Sequence, residues 1–253
     1  MVLFDFDGTL SLIRAGWVDV MVPMMVKILA DLKTGESEEE LKTLVEEFVA
    51  RLTGKETIYQ MMELAEQIKK RGGVPEDPKV YKKMYLDGLH EVIKDRLAAL
   101  RAGTANPDDH MVPGSRALLE TLRARGLKLF LASGTDHENV VEEARLLDVE
   151  KYFDGGVFGA LDDLSKFSKA LLVRQIVESS EYRGEDFLAF GDGYVEIEVV
   201  KNVGGVAVGV ASDEPECIKV DLWKRNRLAG VGADFIVPNY NNLSALQQAL
   251  FPN

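Results

Sequence analysis

The segment Met1-Val2-Leu3-Phe4-Asp5-Phe6-Asp7-Gly8-Thr9-Leu10 decides the fold. A short apolar run stops at Asp-x-Asp-Gly, the pattern of a buried strand opening into a polar loop. Similar apolar runs recur at Leu127 to Ala132, Val157 to Phe158, Phe187 to Phe190, Val206 to Val210 and Phe235 to Val237. Between the later runs lie helical patterns: Ser115 to Arg125, Asn139 to Leu147, Lys169 to Glu178 and Glu196 to Asn202. Strand alternating with helix predicts an α/β chain whose parallel sheet is covered on both faces. Ligands of such sheets bind beyond the carboxyl ends of the strands, so the residues just after each run are the ones to inspect.

From about Ala15 to Ala102 the alternation breaks and the pattern is helical, punctuated at Thr53-Gly54, at Gly72-Gly73-Val74-Pro75 and at Gly103. Val112-Pro113-Gly114 reopens the sheet portion. The expected organisation is an α/β domain from residues 1–14 and 103–253, interrupted by a helical domain at 15–102. The acidic run Glu36 to Glu47 reads as a solvated helix face, and Met21, Met24 and Met25 as packing.

The 253 residues carry 42 acidic and 30 basic side chains, a net charge of −12, so the surface should repel nucleic acid and anionic lipid. Val18 to Leu32 is interrupted by Asp19, Lys27 and Asp31 and is too short to span a bilayer. No basic n-region precedes an apolar stretch at the N-terminus, so no signal peptide is expected. The single Cys217 allows no internal disulfide, and a reducing cytoplasm is the expected compartment.

Polar groups cluster after the strands. The first presents Asp5 and Asp7, the second Ser133-Gly134-Thr135, and a later one Gly191-Asp192-Gly193 with Glu196 four residues on. Carboxylates from the first and last of these can converge on one hard cation such as Mg²⁺, which takes oxygen ligands and accepts phosphate as another. Ser133 and the backbone N–H groups of Gly134 and Thr135, at a strand-to-helix turn, would supply donors for phosphoryl oxygens. An aspartate nucleophile facing a phosphate dianion also needs a fixed cation, and Lys169, opening a helix, is the candidate. Lys166 is close enough in sequence to compete with it.

In this order the motifs resemble those of the haloacid dehalogenase superfamily of phosphohydrolases. Asp5-Phe6-Asp7-Gly8-Thr9-Leu10 is similar to its first motif, Ser133-Gly134-Thr135 to its second, Lys169 to its third and Gly191-Asp192-Gly193-Tyr194-Val195-Glu196 to its fourth. The resemblance implies a Rossmann-like core with a helical cap inserted after the first strand. It implies that Asp5 becomes an aspartyl phosphate, while Asp7 protonates the leaving alkoxide and then activates water. Asp5, the backbone carbonyl of Asp7 and Asp192 would ligate Mg²⁺. Glu196 would act through water or as support; its alternative reading is an exposed helix acid. Ser133, Gly134 and Lys169 would bind the phosphoryl group.

The helical insert resembles the mobile cap of phosphoglycolate phosphatases and β-phosphoglucomutases. Arg51-Leu52-Thr53-Gly54-Lys55-Glu56-Thr57 falls at the specificity loop of those proteins, so Arg51 or Lys55 would hold the distal part of a substrate, or else both are ordinary surface cations. The mutases carry an Arg three residues after the loop glycine, where Thr57 stands here. Arg14, Lys82 and Lys83 remain as substitutes for that grip. The expected function is hydrolysis of a small phosphomonoester, such as a sugar phosphate or phosphoglycolate, by a monomer or homodimer. The alternatives are a phosphomutase and a non-enzymatic phospho-acceptor or ligand-binding protein.

Overall fold

A computed structural model describes residues 1–161, 163, 166–179 and 182–252. Strand β1 (Val2–Phe4) leads into four successive helices, α1 (Trp17–Ala30), α2 (Glu38–Leu52), α3 (Thr57–Lys70) and α4 (Pro78–Arg101). After α5 (Ser115–Ala124) the chain alternates: β2 (Leu129–Asp136), α6 (His137–Leu146), β3 (Gly156–Ala160), α7 (Lys169–Ser179), β4 (Leu188–Gly191), α8 (Tyr194–Asn202), β5 (Val206–Val210), α9 (Leu222–Gly230), β6 (Phe235–Val237) and α10 (Leu243–Leu250). The strands form one parallel sheet in the order β3-β2-β1-β4-β5-β6, the α/β architecture that the alternation predicts.

This order places a topological switch point between β1 and β4, because the chain builds outward from β1 first through β2 and β3, then through β4 to β6. Phe4 pairs in register with Leu131 on one side and Phe190 on the other. The Phe4 and Phe190 rings stack with centroids 4.7 Å apart, fixing the two strands at the level where the polar loops begin. Asp5 and Asp192 therefore leave the sheet at the same edge, level with Ser133 on the end of β2.

The helices form where the local chemistry asks for them. Ser37 and Glu40 make a reciprocal capping box at the start of α2, which carries Glu38, Glu39 and Glu40 at the positive end of its dipole. Asp77 caps α4, with Pro78 in its first turn. The largest apolar cluster runs from Phe4 and Leu10 through Met21 and Met25 to Leu64 and Leu89, so the helical segment packs on the sheet portion through the stretch after β1.

Two local features differ from expectation. Strand β2 continues through Ser133, Gly134 and Thr135 to Asp136, with a register shift against β3 after Ala132, so these residues sit on an extended strand end instead of a turn. Helix α9 has no clear apolar stripe, since Leu228 is its only buried side chain, and periodicity does not reveal it; α10 carries a stripe of Leu243, Leu246 and Leu250 that spans only eight residues. Among the described residues no helix is long and apolar enough to cross a membrane.

Candidate active site

Asp5 lies directly beyond β1, with its backbone N–H donating to the carbonyl of Phe190 at 2.9 Å. Its side chain is buried, and Oδ1 accepts from Lys169 Nζ at 2.7 Å. The same ammonium donates to Glu196 Oε2 at 2.7 Å. Burial disfavours the charge on Lys169, but Asp5 and Glu196 together raise its pKa above the usual lysine value, so it stays protonated. Burial pushes the Asp5 carboxyl well above the usual carboxylate range; Lys169 opposes this, and the Glu196 and Asp192 charges add to it. Lys166, the competing lysine, is exposed and pairs with Asp163 at 3.3 Å.

Asp7 sits two residues on, at the tight turn where Gly8 adopts φ +72°. Its Oδ2 accepts from the hydroxyls of Ser133 (3.2 Å) and Thr135 (2.8 Å), while the backbone N–H of Thr135 donates to Ser133 Oγ at 3.0 Å. Among the described residues, Asp7 Oδ1 is buried without a hydrogen-bond partner. Arg14 Nε stands 3.9 Å from it, but the guanidinium is committed to the buried Glu143, with Nη2 at 2.7 Å. The carboxylate is thus oriented on one oxygen and available on the other.

Asp192 follows β4 and approaches Gly8 so closely that a Cβ there would lie 2.5 Å from Asp192 Oδ2. Glu196 is fully buried, which overturns its reading as an exposed helix acid. Its Oε1 accepts from the Gly193 N–H at 2.9 Å, closing the first turn of α8. Asp5, Asp192 and Glu196 each offer a carboxylate oxygen within 4.8 Å of the other two. An all-oxygen donor set suits a hard divalent cation, and the carboxylate charges that push Asp5 up are those such an ion would offset. The residues present fit one. Lys224 Nζ donates to Asp192 Oδ2 at 3.3 Å and also to Glu214, a second acid and base pair beside the cluster.

The loop between α2 and α3 lies on top of this constellation. Gly54, at φ +92°, packs so that a Cβ on Gly193 would be 2.9 Å from its Cα, and a Cβ on Gly134 would be 2.9 Å from the Lys55 carbonyl carbon. Gly134 thus permits close approach of this loop. The small cavity over Asp5 and Asp7, about 80 Å³, is lined by Lys55, Thr57, Ser133 and Gly134 as well. The Lys55 side chain is exposed and lies 5.7 Å from the Tyr59 ring centroid, and Arg51 is exposed and pairs with Glu63 at 3.4 Å. Of the cations left open as a second anion grip, Arg14 is bound to Glu143, Lys82 to Asp136 and Lys83 to Asp87. His137 lines a separate cavity with Phe158 and Lys166.

Sequence reasoning leaves out Glu143, the Thr135 hydroxyl, Glu214 and Lys224. Glu143 is 129 residues from Arg14, and Lys224 is 32 from Asp192, with no spacing that marks either pair. Only Thr135 carried a signal, being part of the Ser-Gly-Thr motif.

A family model described as haloacid dehalogenase-like hydrolase matches residues 1–204. A phosphorylated carbohydrates phosphatase of Thermotoga maritima is 33% identical over 92 residues, 36% of this chain and 42% of that protein. The chain thus matches less than half the length of that curated relative. A phosphoserine phosphatase of Lactococcus lactis is 28% identical over 156 residues, 54% of this chain and 71% of that protein. Among solved structures, a predicted phosphoglycolate phosphatase from Haemophilus somnus superimposes with a TM-score of 0.61 at 15% identity, covering 98% of this chain and 97% of that one, which shows the shared fold.

Proposed function

Because the chain belongs to the haloacid dehalogenase-like hydrolases, we propose that it is a divalent-metal-dependent phosphatase of small phosphomonoesters, acting through an aspartyl phosphate on Asp5. The observation that carries this reading is the convergence of Asp5, Lys169, Asp192 and Glu196 beside an Asp7 with one oxygen anchored and the other unpartnered. The 33% identical Thermotoga maritima relative, a phosphorylated carbohydrates phosphatase, supports it.

Asp5, Asp192 and the backbone carbonyl of Asp7 would hold Mg²⁺, with Glu196 as further ligand or support. Bound there, the ion supplies positive charge against the phosphate dianion. An Asp5 carboxylate oxygen attacks phosphorus as the bond to the leaving oxygen breaks, and Asp7 delivers a proton to that oxygen. Asp7, now ionised, takes a proton from water; the resulting hydroxide attacks phosphorus, breaks the bond to Asp5 and releases inorganic phosphate. Lys169 stays charged throughout and offsets the negative charge at Asp5. Ser133 and Thr135 hold Asp7 in place for both proton transfers. Residues 15–102 serve as a cap over a core of 1–14 and 103–253, with the Thr53 to Glu56 loop excluding water when seated against Gly134 and Gly193.

Hydrolysis is favoured over mutase chemistry because Thr57 replaces an arginine grip and Arg14, Lys82 and Lys83 are all paired. The test is turnover of a panel of phosphorylated metabolites with and without Mg²⁺. Asp5→Asn is expected to fold and keep its Mg²⁺ stabilisation but lose turnover. Retention of near-normal activity by that variant would exclude Asp5 as nucleophile.

A further inference from the structure

A second cavity opens on the β5 side of the same site. It encloses about 860 Å³, against about 80 Å³ for the one over Asp5 and Asp7, and Trp17, Thr53 and Asp192 line both. The smaller space suits a phosphoryl group, and the larger one falls in the range that encloses whole small molecules. Its walls come from α1 and α2 on one side, and from the start of α8, the stretch after β5 and α9 on the other.

Arg227 ties these walls together. Its Nε donates to the Tyr194 hydroxyl at 2.8 Å and its Nη2 to the carbonyl of Ala50 on α2. The guanidinium also lies over the rings of Trp223 and Tyr194, 4.0 and 4.4 Å from their centroids. The aromatic wall is therefore ordered by the chain itself, and Trp17 adds a third ring.

The charge of this cavity is lopsided. Six carboxylates line it against three basic groups. Each of the three is engaged: Arg51 with Glu63, Lys224 with Asp192 and Glu214, and Arg227 as described. A second anionic group on a substrate would meet repulsion from Asp19 and Glu47, and from Glu46 with Lys42 at 3.8 Å, with no uncommitted cation among the lining residues to hold it. Hydroxyl groups, in contrast, can donate to those carboxylates, and the carbon-bound hydrogens of a sugar face pack on flat aromatic rings.

We propose that this cavity is the leaving-group subsite and takes an uncharged, polyhydroxylated moiety, so that the substrate is the monophosphate of a neutral sugar or polyol. Bisphosphates and phosphoglycolate, with their second anionic group, are selected against. The inference rests on the phosphomonoesterase reading above, and it moves specificity from the cations Arg51 and Lys55 to the wall of aromatic rings and acids.

Kinetics of the full chain with Mg²⁺ test it on four probes: acetyl phosphate, whose leaving group is too short to fill the cavity; a panel of pentose, hexose and polyol monophosphates; fructose 1,6-bisphosphate; and phosphoglycolate. The best sugar or polyol monophosphate should exceed the last two in kcat/KM by at least tenfold. Trp223→Ala should lower the ratio of kcat/KM for that monophosphate to kcat/KM for acetyl phosphate at least tenfold, mainly through KM. The double variant Glu46→Lys, Glu47→Lys should raise the bisphosphate relative to the monophosphate by a similar factor. A wild-type preference for phosphoglycolate or the bisphosphate, or unchanged ratios in both variants, would overturn the proposal. If no probe is hydrolysed, the phosphatase reading fails, and calorimetric binding of the same monophosphates to Asp5→Asn still decides the subsite. Binding that weakens at least tenfold on adding Trp223→Ala supports it, and no binding, or binding unchanged by that substitution, refutes it.

Discussion

Replacing Lys169 by Met removes the charge that holds two buried carboxylates together while nearly keeping the side-chain volume. Its Nζ lies 2.7 Å from Asp5 Oδ1 and 2.7 Å from Glu196 Oε2, and the three residues are 3%, 5% and 0% exposed. At an effective dielectric constant of about 20, each contact represents roughly 6 kcal/mol of gross attraction, most of it spent on desolvating the charges. The variant leaves Asp5 and Glu196 buried and uncompensated, so the net loss expected is about 3–5 kcal/mol. For a chain of this size that corresponds to a melting temperature lower by roughly 6–20 °C. Turnover of a phosphomonoester should fall by about 10²–10³-fold, the cost of removing one preorganised electrostatic partner. Thermal melts with and without Mg²⁺, paired with steady-state kinetics, read both effects. Mg²⁺ should stabilise Lys169→Met more than the wild type, since the ion meets two carboxylates that have lost their counter-charge. A variant that melts within about 2 °C of wild type and keeps more than about a tenth of kcat refutes this electrostatic account of the site.

Gly134→Ala places a Cβ 2.9 Å from the Lys55 carbonyl carbon, so the Thr53 to Glu56 loop has to lift. We expect KM to rise about tenfold with a stability loss of about 1–3 kcal/mol, checked by kinetics and denaturant melts. Burial pushes the Glu143 carboxyl from 4.5 up to about 7 against the pull of Arg14, so between these values the folded chain binds more protons there than the unfolded one. That contribution to stability is present below pH 4.5 and is lost as pH rises through about 7. Relative to Glu143→Gln, the wild type should therefore lose up to about 3 kcal/mol between pH 4.5 and 8, measured as the difference in unfolding free energy across that range.

Asp5, Ser133 and Asp192 are legible in the sequence because each sits where an apolar run stops. Asp5 and Asp192 each follow a strand, and Ser133 ends the apolar part of one, with length and burial encoded within a few residues; parallel pairing then brings the three positions together. Lys169 was legible because it opens a helix with a clear apolar pattern. The partners that tune the site were not, because they meet only through tertiary packing. Glu143 reaches Arg14 across 129 residues, and Lys224 comes from α9, a helix with a single buried side chain and so almost no periodic signal. The large cavity was illegible for the same reason. Its walls come from elements remote in sequence, tied by a bond from Arg227 to the carbonyl of Ala50, and a carbonyl is present at every residue. The extended end of β2 escaped notice because Ser-Gly-Thr is as compatible with a turn as with a strand edge.

In the proposed mechanism Asp5 is the residue that receives phosphorus. Rapid-quench of the wild-type enzyme during turnover of a phosphomonoester, followed by mass spectrometry of the N-terminal peptide, measures this directly. The predicted result is a phosphoryl group on Asp5 that forms within the first turnover, disappears as inorganic phosphate accumulates and, with p-nitrophenyl phosphate, whose leaving group needs no proton, builds up when Asp7 is replaced by Asn. Turnover with an unmodified Asp5 at every time point, or a phosphoryl group on another residue, would contradict it.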